Sequence, residues 1–145
     1  MIFFSSALEL VKINITNMNN LIVDATKDEI FLTLIVSKNI YTCSHQNSKI
    51  NFERLMIIIN EFLINNKYSL DNIDIIYVNR GPGSFAGIRN SLSTIKALFL
   101  TKHINYCCFS FDDFQEPKAP KYTDVPLLCK KYKIKKNLIN PIYLS

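Results

Sequence analysis

Arg80-Gly81-Pro82-Gly83-Ser84-Phe85-Ala86-Gly87-Ile88-Arg89 holds all three glycines of the 145-residue chain. Glycine tolerates positive φ and lets one backbone approach another, so a chain that uses it nowhere else is under a geometric demand here. Ile73-Asp74-Ile75-Ile76-Tyr77-Val78, a β-rich apolar run, precedes the stretch. Ile88, Leu92, Ile95 and Phe99 follow it at helical spacing. The order is therefore strand, tight glycine turn, helix. Two readings of the turn stand side by side. In one, the N–H groups at the helix start cradle an anion. In the other, the glycines only let the helix pack closely on the sheet. No Lys-Ser/Thr follows the last glycine, so the Walker pattern fails. The spacing of Gly81, Gly83 and Gly87 is one residue longer than the dinucleotide fingerprint, and Pro82 lacks an N–H to donate. Ser84 loosely resembles a nucleophile elbow, but the G-x-S-x-G pattern is not met.

Upstream, Leu21–Ala25 and Ile30–Val36 read as strands joined by a turn at Lys27-Asp28-Glu29, and Ile40–Cys43 reads as a third strand. Short connections make these an antiparallel meander. Residues 51–65 read as a helix with a core stripe of Phe52, Leu55, Met56, Ile59, Phe62 and Leu63. Ile57, Ile58 and Ile64 fall outside that stripe. The helix after the glycine turn carries Ser91, Thr94 and Leu98 beside its own stripe. More apolar surface than one core face needs marks a partner site, or else a second covering within the chain. Asn105–Ser110 reads as another strand, and Asp112-Asp113-Phe114 as at most one turn. Pro117, Pro120 and Pro126 are expected to break regular structure after that.

The run RGPGSFAGIRNSLSTIKAL closely resembles the signature of the bacterial tRNA threonylcarbamoyladenosine biosynthesis family TsaB (YeaZ), approximately GRGPGSFTG(L/V)R. Asn79 stands where the family has its first glycine, and Ala86 where it has threonine. The likeness extends over roughly residues 20–110. Asn140-Pro141-Ile142-Tyr143-Leu144 also resembles the family's closing Glu-Pro-Val-Tyr-Leu-Arg. The resemblance implies an α/β fold of the actin-like ATPase superfamily (ribonuclease H-like). It would be a single lobe, a mixed sheet with an antiparallel meander plus two long helices. It implies a non-catalytic scaffold that holds and activates a TsaD-like catalytic subunit, which transfers the threonylcarbamoyl group to an anticodon-loop adenosine of tRNA. A TsaE-like ATPase is implied as a further partner, a homodimer as an alternative assembly, and tRNA contact through the complex. The two helices would form a bundle with the second subunit through Arg54, Ile57, Ile58, Ser91, Thr94 and Leu98. Arg80, Gly81, Pro82, Gly83, Ser84, Phe85, Gly87 and Arg89 would form a structural loop. Arg80 and Arg89 flank it and could bind an anion or a partner's carboxylates. Asp24 and Thr26 would be a relic phosphate site. Asn51 replaces a histidine that family members often carry there.

Domain boundaries follow from the same comparison. Residues 1–17 read as an extension or upstream read-through, with Met18 as the natural start or, alternatively, a short helix from Ser5 to Lys12. Residues 18–116 form the TsaB-like first lobe. Residues 117–145 are a lysine-rich remnant of a second lobe plus the family C-terminus, which leaves the strand faces less covered.

Bulk composition agrees with a globular body. Hydrophobic residues make up 48% and charged residues 20%. No apolar run approaches the ~20 residues of a membrane span. The four cysteines, at 43, 107, 108 and 129, show no C-x-x-C spacing, and reduced buried thiols in a cytoplasmic protein are the expectation. Cys107 and Cys108 should point to opposite sheet faces. His45 and His103 lack ligand spacing, so no metal site is expected, and no cofactor or catalytic set can be assembled. The net charge of +5 is local, because seven lysines against Asp124 make residues 117–145 +6 and leave the remainder at −1. That stretch contacts RNA phosphates or is a solvated lysine-rich segment. The alternatives to a scaffold are a residual peptidase-like hydrolase, an ATPase of the actin-like superfamily, or a degenerate inactive relative.

Overall fold

The computed structural model describes residues 17–143. The readings for residues 1–16 and for Leu144 lie outside the described residues. Nine elements follow in order: β1 (Asn19–Asp24), β2 (Glu29–Val36), β3 (Asn39–Gln46), α1 (Lys49–Glu53), α2 (Leu55–Asn65), β4 (Ile75–Asn79), α3 (Phe85–Lys102), β5 (Asn105–Phe109) and α4 (Val125–Lys131). One sheet runs in the order β3-β2-β1-β4-β5. The meander expected from the short turns is present, with β1 antiparallel to β2 and β2 antiparallel to β3. Strand β4 lies parallel to β1, and β5 parallel to β4. A parallel pair needs a long crossover, which helices α1–α2 and α3 supply.

Side chains alternate across β1, and each face gathers its own core. Leu21 and Val23 point to the face covered by α2 and α3, where Leu55, Ile59, Leu63, Ile88, Leu92 and Ile95 pack. Ile22 points to the opposite face, with Ile75, Tyr77 and Phe109. Cys107 and Cys108 divide between the two faces as the period of two requires.

Helix α3 begins where Ser84 accepts a hydrogen bond from the Gly87 N–H at 3.2 Å, a side-chain cap on otherwise unpaired donors. It ends at His103, which sits in the left-handed region with φ 57°. The single helix expected over 51–65 is instead two, α1 and α2, separated at Arg54. The Asn51 side chain donates to the Gln46 carbonyl at 2.6 Å, so α1 is oriented by the end of β3 while α2 is oriented by the core.

Two expectations about coverage are corrected. Ile58, Ser91 and Leu98, expected on a partner-facing surface, are buried at 4%, 0% and 2% exposure. The sequence correctly placed small and apolar residues beside each core stripe, but the helix they approach is the chain's own neighbour, because α2 and α3 pack together. The region after Phe114 is also more ordered than its prolines suggested. Pro126 is the second residue of α4, where a missing N–H costs nothing. From there Val125, Leu128 and Cys129, joined by Phe114, cover the second sheet face.

Two predictions follow from this packing. Ile58→Ala should cost about 2–5 kcal/mol in urea unfolding, whereas Ile57→Ala should stay within about 0.5 kcal/mol. Burial also pushes the thiols of Cys43 and Cys108 from the ordinary 9.0 up to about 11. The folded chain then holds protons that the unfolded chain has released. The thiols' contribution to stability should therefore be intact below pH 9 and be lost as pH rises toward about 11, as read by thermal midpoints across that range.

Candidate functional site

The C-terminal ends of β1 and β4 lie side by side, and the glycine loop leaves from the second of them. Asp24, the last residue of β1, is fully buried. Its Oδ1 accepts from the Thr26 N–H at 2.9 Å and the Thr26 hydroxyl at 2.7 Å. Its Oδ2 accepts from the Asn79 amide at 3.0 Å and the Tyr122 hydroxyl at 2.7 Å. Burying a carboxylate is costly unless it is fully hydrogen-bonded, and four donors meet that demand. The Tyr122 phenol is pushed well above its ordinary value by burial and then by the Asp24 charge, so it remains a donor.

Asn79 joins the two halves of the site. Its amide donates to Asp24 while its Oδ1 accepts from the Gly81 N–H at 3.0 Å. The side chain that replaces the family's first glycine therefore fixes the loop to the buried acid. Gly81 has φ +109°, and a Cβ there would collide with the Ile142 carbonyl. A Cβ on Gly83 would collide with the Thr26 carbonyl, the same oxygen that accepts the Ser84 N–H at 2.8 Å. Of the two readings of the turn, this geometry is that of close backbone packing.

Arg80 does not stand free. Its Nη2 lies 2.7 Å from Asp113 Oδ1, its Nε donates to Asp113 Oδ2 at 3.4 Å, and its Nη1 donates to the Asn140 carbonyl at 3.1 Å. The expectation that Arg80 serves an external anion or a partner's acid is corrected, because the chain's own Asp113 occupies it. Arg89 is exposed and forms no ion pair among the described residues. Pro82 is exposed, and the Phe85 ring leans on Tyr143 with centroids 4.7 Å apart. A polar cavity of about 490 Å³ lies beside the loop, lined by Thr26, Lys27, Asp28, Gln46, Asn47 and Ser84.

The remaining predicted contacts lie on the outer side of the helix layer. Arg54 and Ile57 are exposed and Thr94 is half-buried. Ile57 is 48% exposed and Ile64, two turns later on the same stripe, is 57% exposed. Leu100 of α3 is 63% exposed. Two members of the site escaped the sequence reading. Asn79 was visible as a departure from the family pattern. Tyr122 had no signal, since 98 residues separate it from Asp24.

Residues 45–108 match the family profile of TsaD, tRNA N6-adenosine threonylcarbamoyltransferase. The chain is 29% identical over 84 residues to the tRNA threonylcarbamoyladenosine biosynthesis protein TsaB of Buchnera aphidicola subsp. Schizaphis graminum, covering 58% of this chain and 40% of that protein. It is 35% identical over 65 residues to the TsaB of Buchnera aphidicola subsp. Baizongia pistaciae, covering 39% of this chain and 29% of that protein. The chain thus spans less than half the length of these curated relatives. Among solved structures, YeaZ from Pseudomonas aeruginosa superposes with a TM-score of 0.59 at 19% identity, over 64% of this chain and 44% of that one. A second structure, described as similar to peptidase YeaZ from the same organism, gives the same score and identity over 43% of its length. Over 64% of its length the chain shares the fold of YeaZ, and over part of its sequence it is similar to TsaB/YeaZ proteins.

Proposed function

We propose that the chain is a non-catalytic accessory subunit in tRNA threonylcarbamoyladenosine synthesis, docking a TsaD-like catalytic subunit through its α2–α3 layer. The observation that carries this reading is the pair of apolar side chains left open on the outer side of α2, Ile57 and Ile64. Residues 45–108, which build that layer, match the TsaD profile, so the two proteins would present related helix pairs. Related surfaces suit pairing about a pseudo-twofold axis, as in an isologous dimer. Arg54 and Thr94 stay among the contacts, while Ile58, Ser91 and Leu98 support the layer from within. A TsaE-like ATPase and tRNA would meet the chain only in the larger complex, in the cytoplasm.

What supports a non-catalytic reading over an ATPase or hydrolase is the closure of Asp24. Both carboxylate oxygens are engaged by protein donors, the Tyr122 hydroxyl among them, which leaves Asp24 fully hydrogen-bonded within the chain.

Two measurements test this reading. Asp24→Asn replaces an acceptor by a group that turns donor against donor. It should lower unfolding free energy by about 2–3 kcal/mol. In calorimetry with ATP and magnesium, Asp24→Asn should leave any heat unchanged, and a saturable heat that this variant abolishes would favour the enzyme. Separately, I57D/I64D should abolish co-elution with a TsaD-like subunit while leaving the thermal midpoint within a few degrees of the unaltered chain. Undiminished co-elution overturns the docking face, and loss of a self-associated species alone would assign that face to a second copy.

A further inference from the structure

On the sheet face opposite the α2–α3 layer lies a cavity of about 310 Å³. Its floor is Tyr77, Cys107, Cys129 and Ile134, and its rim is Lys130, Lys133 and Lys136. The three lysines come from different places. Lys130 is in the last turn of α4, Lys133 lies just beyond that helix, and Lys136 pairs with Cys107 as an antiparallel bridge.

A hook in the backbone brings them together. Lys133 has φ 54° and Asn137 has φ 59°, a conformation uncommon for residues other than glycine. Asn137 is held against the sheet edge, its N–H donating to the Tyr106 carbonyl at 2.8 Å and its Oδ1 accepting from the Tyr106 N–H at 2.9 Å. The stretch 130–136 carries five lysines and no acid. Among the described residues the lysine ion pairs are Lys102 with Asp71 and Lys131 with Glu116, so none of the three rim ammoniums has a carboxylate. The helix C-terminus accounts for a cation at 130 but not for those at 133 and 136. Burial pushes the Cys107 thiol up, while the charges of Lys136 and Lys130 pull it back. An apolar floor weakens solvent screening on one side and strengthens attraction for a bound anion.

We infer that this lysine-rimmed cavity binds a phosphate group, carried by a free nucleotide or by an RNA backbone. The inference is independent of the docking reading, since the two surfaces lie on opposite faces of the sheet.

The test uses the full chain, AMP and inorganic phosphate in calorimetry, and a labelled tRNA transcript in fluorescence anisotropy. The rim variant is K130Q/K133Q/K136Q. A charge-matched control, K118Q/K121Q/K135Q, removes three lysines that do not line the cavity. The rim variant should lose at least tenfold in affinity and the control less than threefold. Binding of AMP and phosphate identifies a free nucleotide as the source. Binding of the transcript alone, with the salt slope falling by about 2 in the rim variant, identifies the RNA backbone. Equal weakening in both variants means diffuse charge and overturns the site, as does absence of binding to every probe. K133Q alone, on an exposed turn, should show part of the same loss, and this reading survives even if the triple variant misfolds.

Discussion

A buried carboxylate must be surrounded, and that requirement at Asp24 ties the molecule together. Its partners come from the turn after β1, the end of β4 and the segment before α4. None of these is near another in sequence. Satisfying one side chain therefore fixes the distance between two strand ends, the departure angle of the glycine loop and the seat of the C-terminal segment. Arg80 adds a second tie from the end of β4, to Asp113 in the turn after β5 and to the Asn140 carbonyl near the C-terminus. The loop's small residues then follow as a packing condition, since Gly81 and Gly83 each face a backbone carbonyl.

The two sheet faces differ in kind. One carries helices long enough to build a core and still present apolar residues outward, as at Ile57 and Ile64. The other is closed economically, by one seven-residue helix and a turn of chain whose polar side is nearly all lysine. The proposed partner surface and the proposed anion cavity therefore lie on opposite faces and do not compete for area.

Much of this architecture was legible in the sequence, because it rests on local patterns. The short apolar runs of β1 and β2 on either side of a polar turn, the 3.6 period in α3 and the confinement of glycine to one loop each specify an element without reference to the rest. The failures have a common cause. Whether Ile58, Ser91 and Leu98 face a partner or a neighbouring helix depends on where that helix lies, and periodicity along one helix is silent about it. Pro126 was read as a breaker because the rule applies to helix interiors, and its place in the first turn depends on where α4 starts. Arg80 looked available because Asp113 is 33 residues away. Tyr122 is the extreme case, a residue whose role exists only once the tertiary structure does.

The link between Tyr122 and Asp24 has a consequence for how the protein is born. During synthesis the meander, both crossover helices and β5 leave the ribosome before Tyr122 does. Until then Asp24 lacks its fourth donor, and Ile22, Ile75 and Phe109 have no lid. A chain stopped short of the segment 111–134 would leave Ile22, Ile75, Tyr77 and Phe109 on a bare apolar face, so the last quarter of the sequence is what makes that side of the sheet compatible with water.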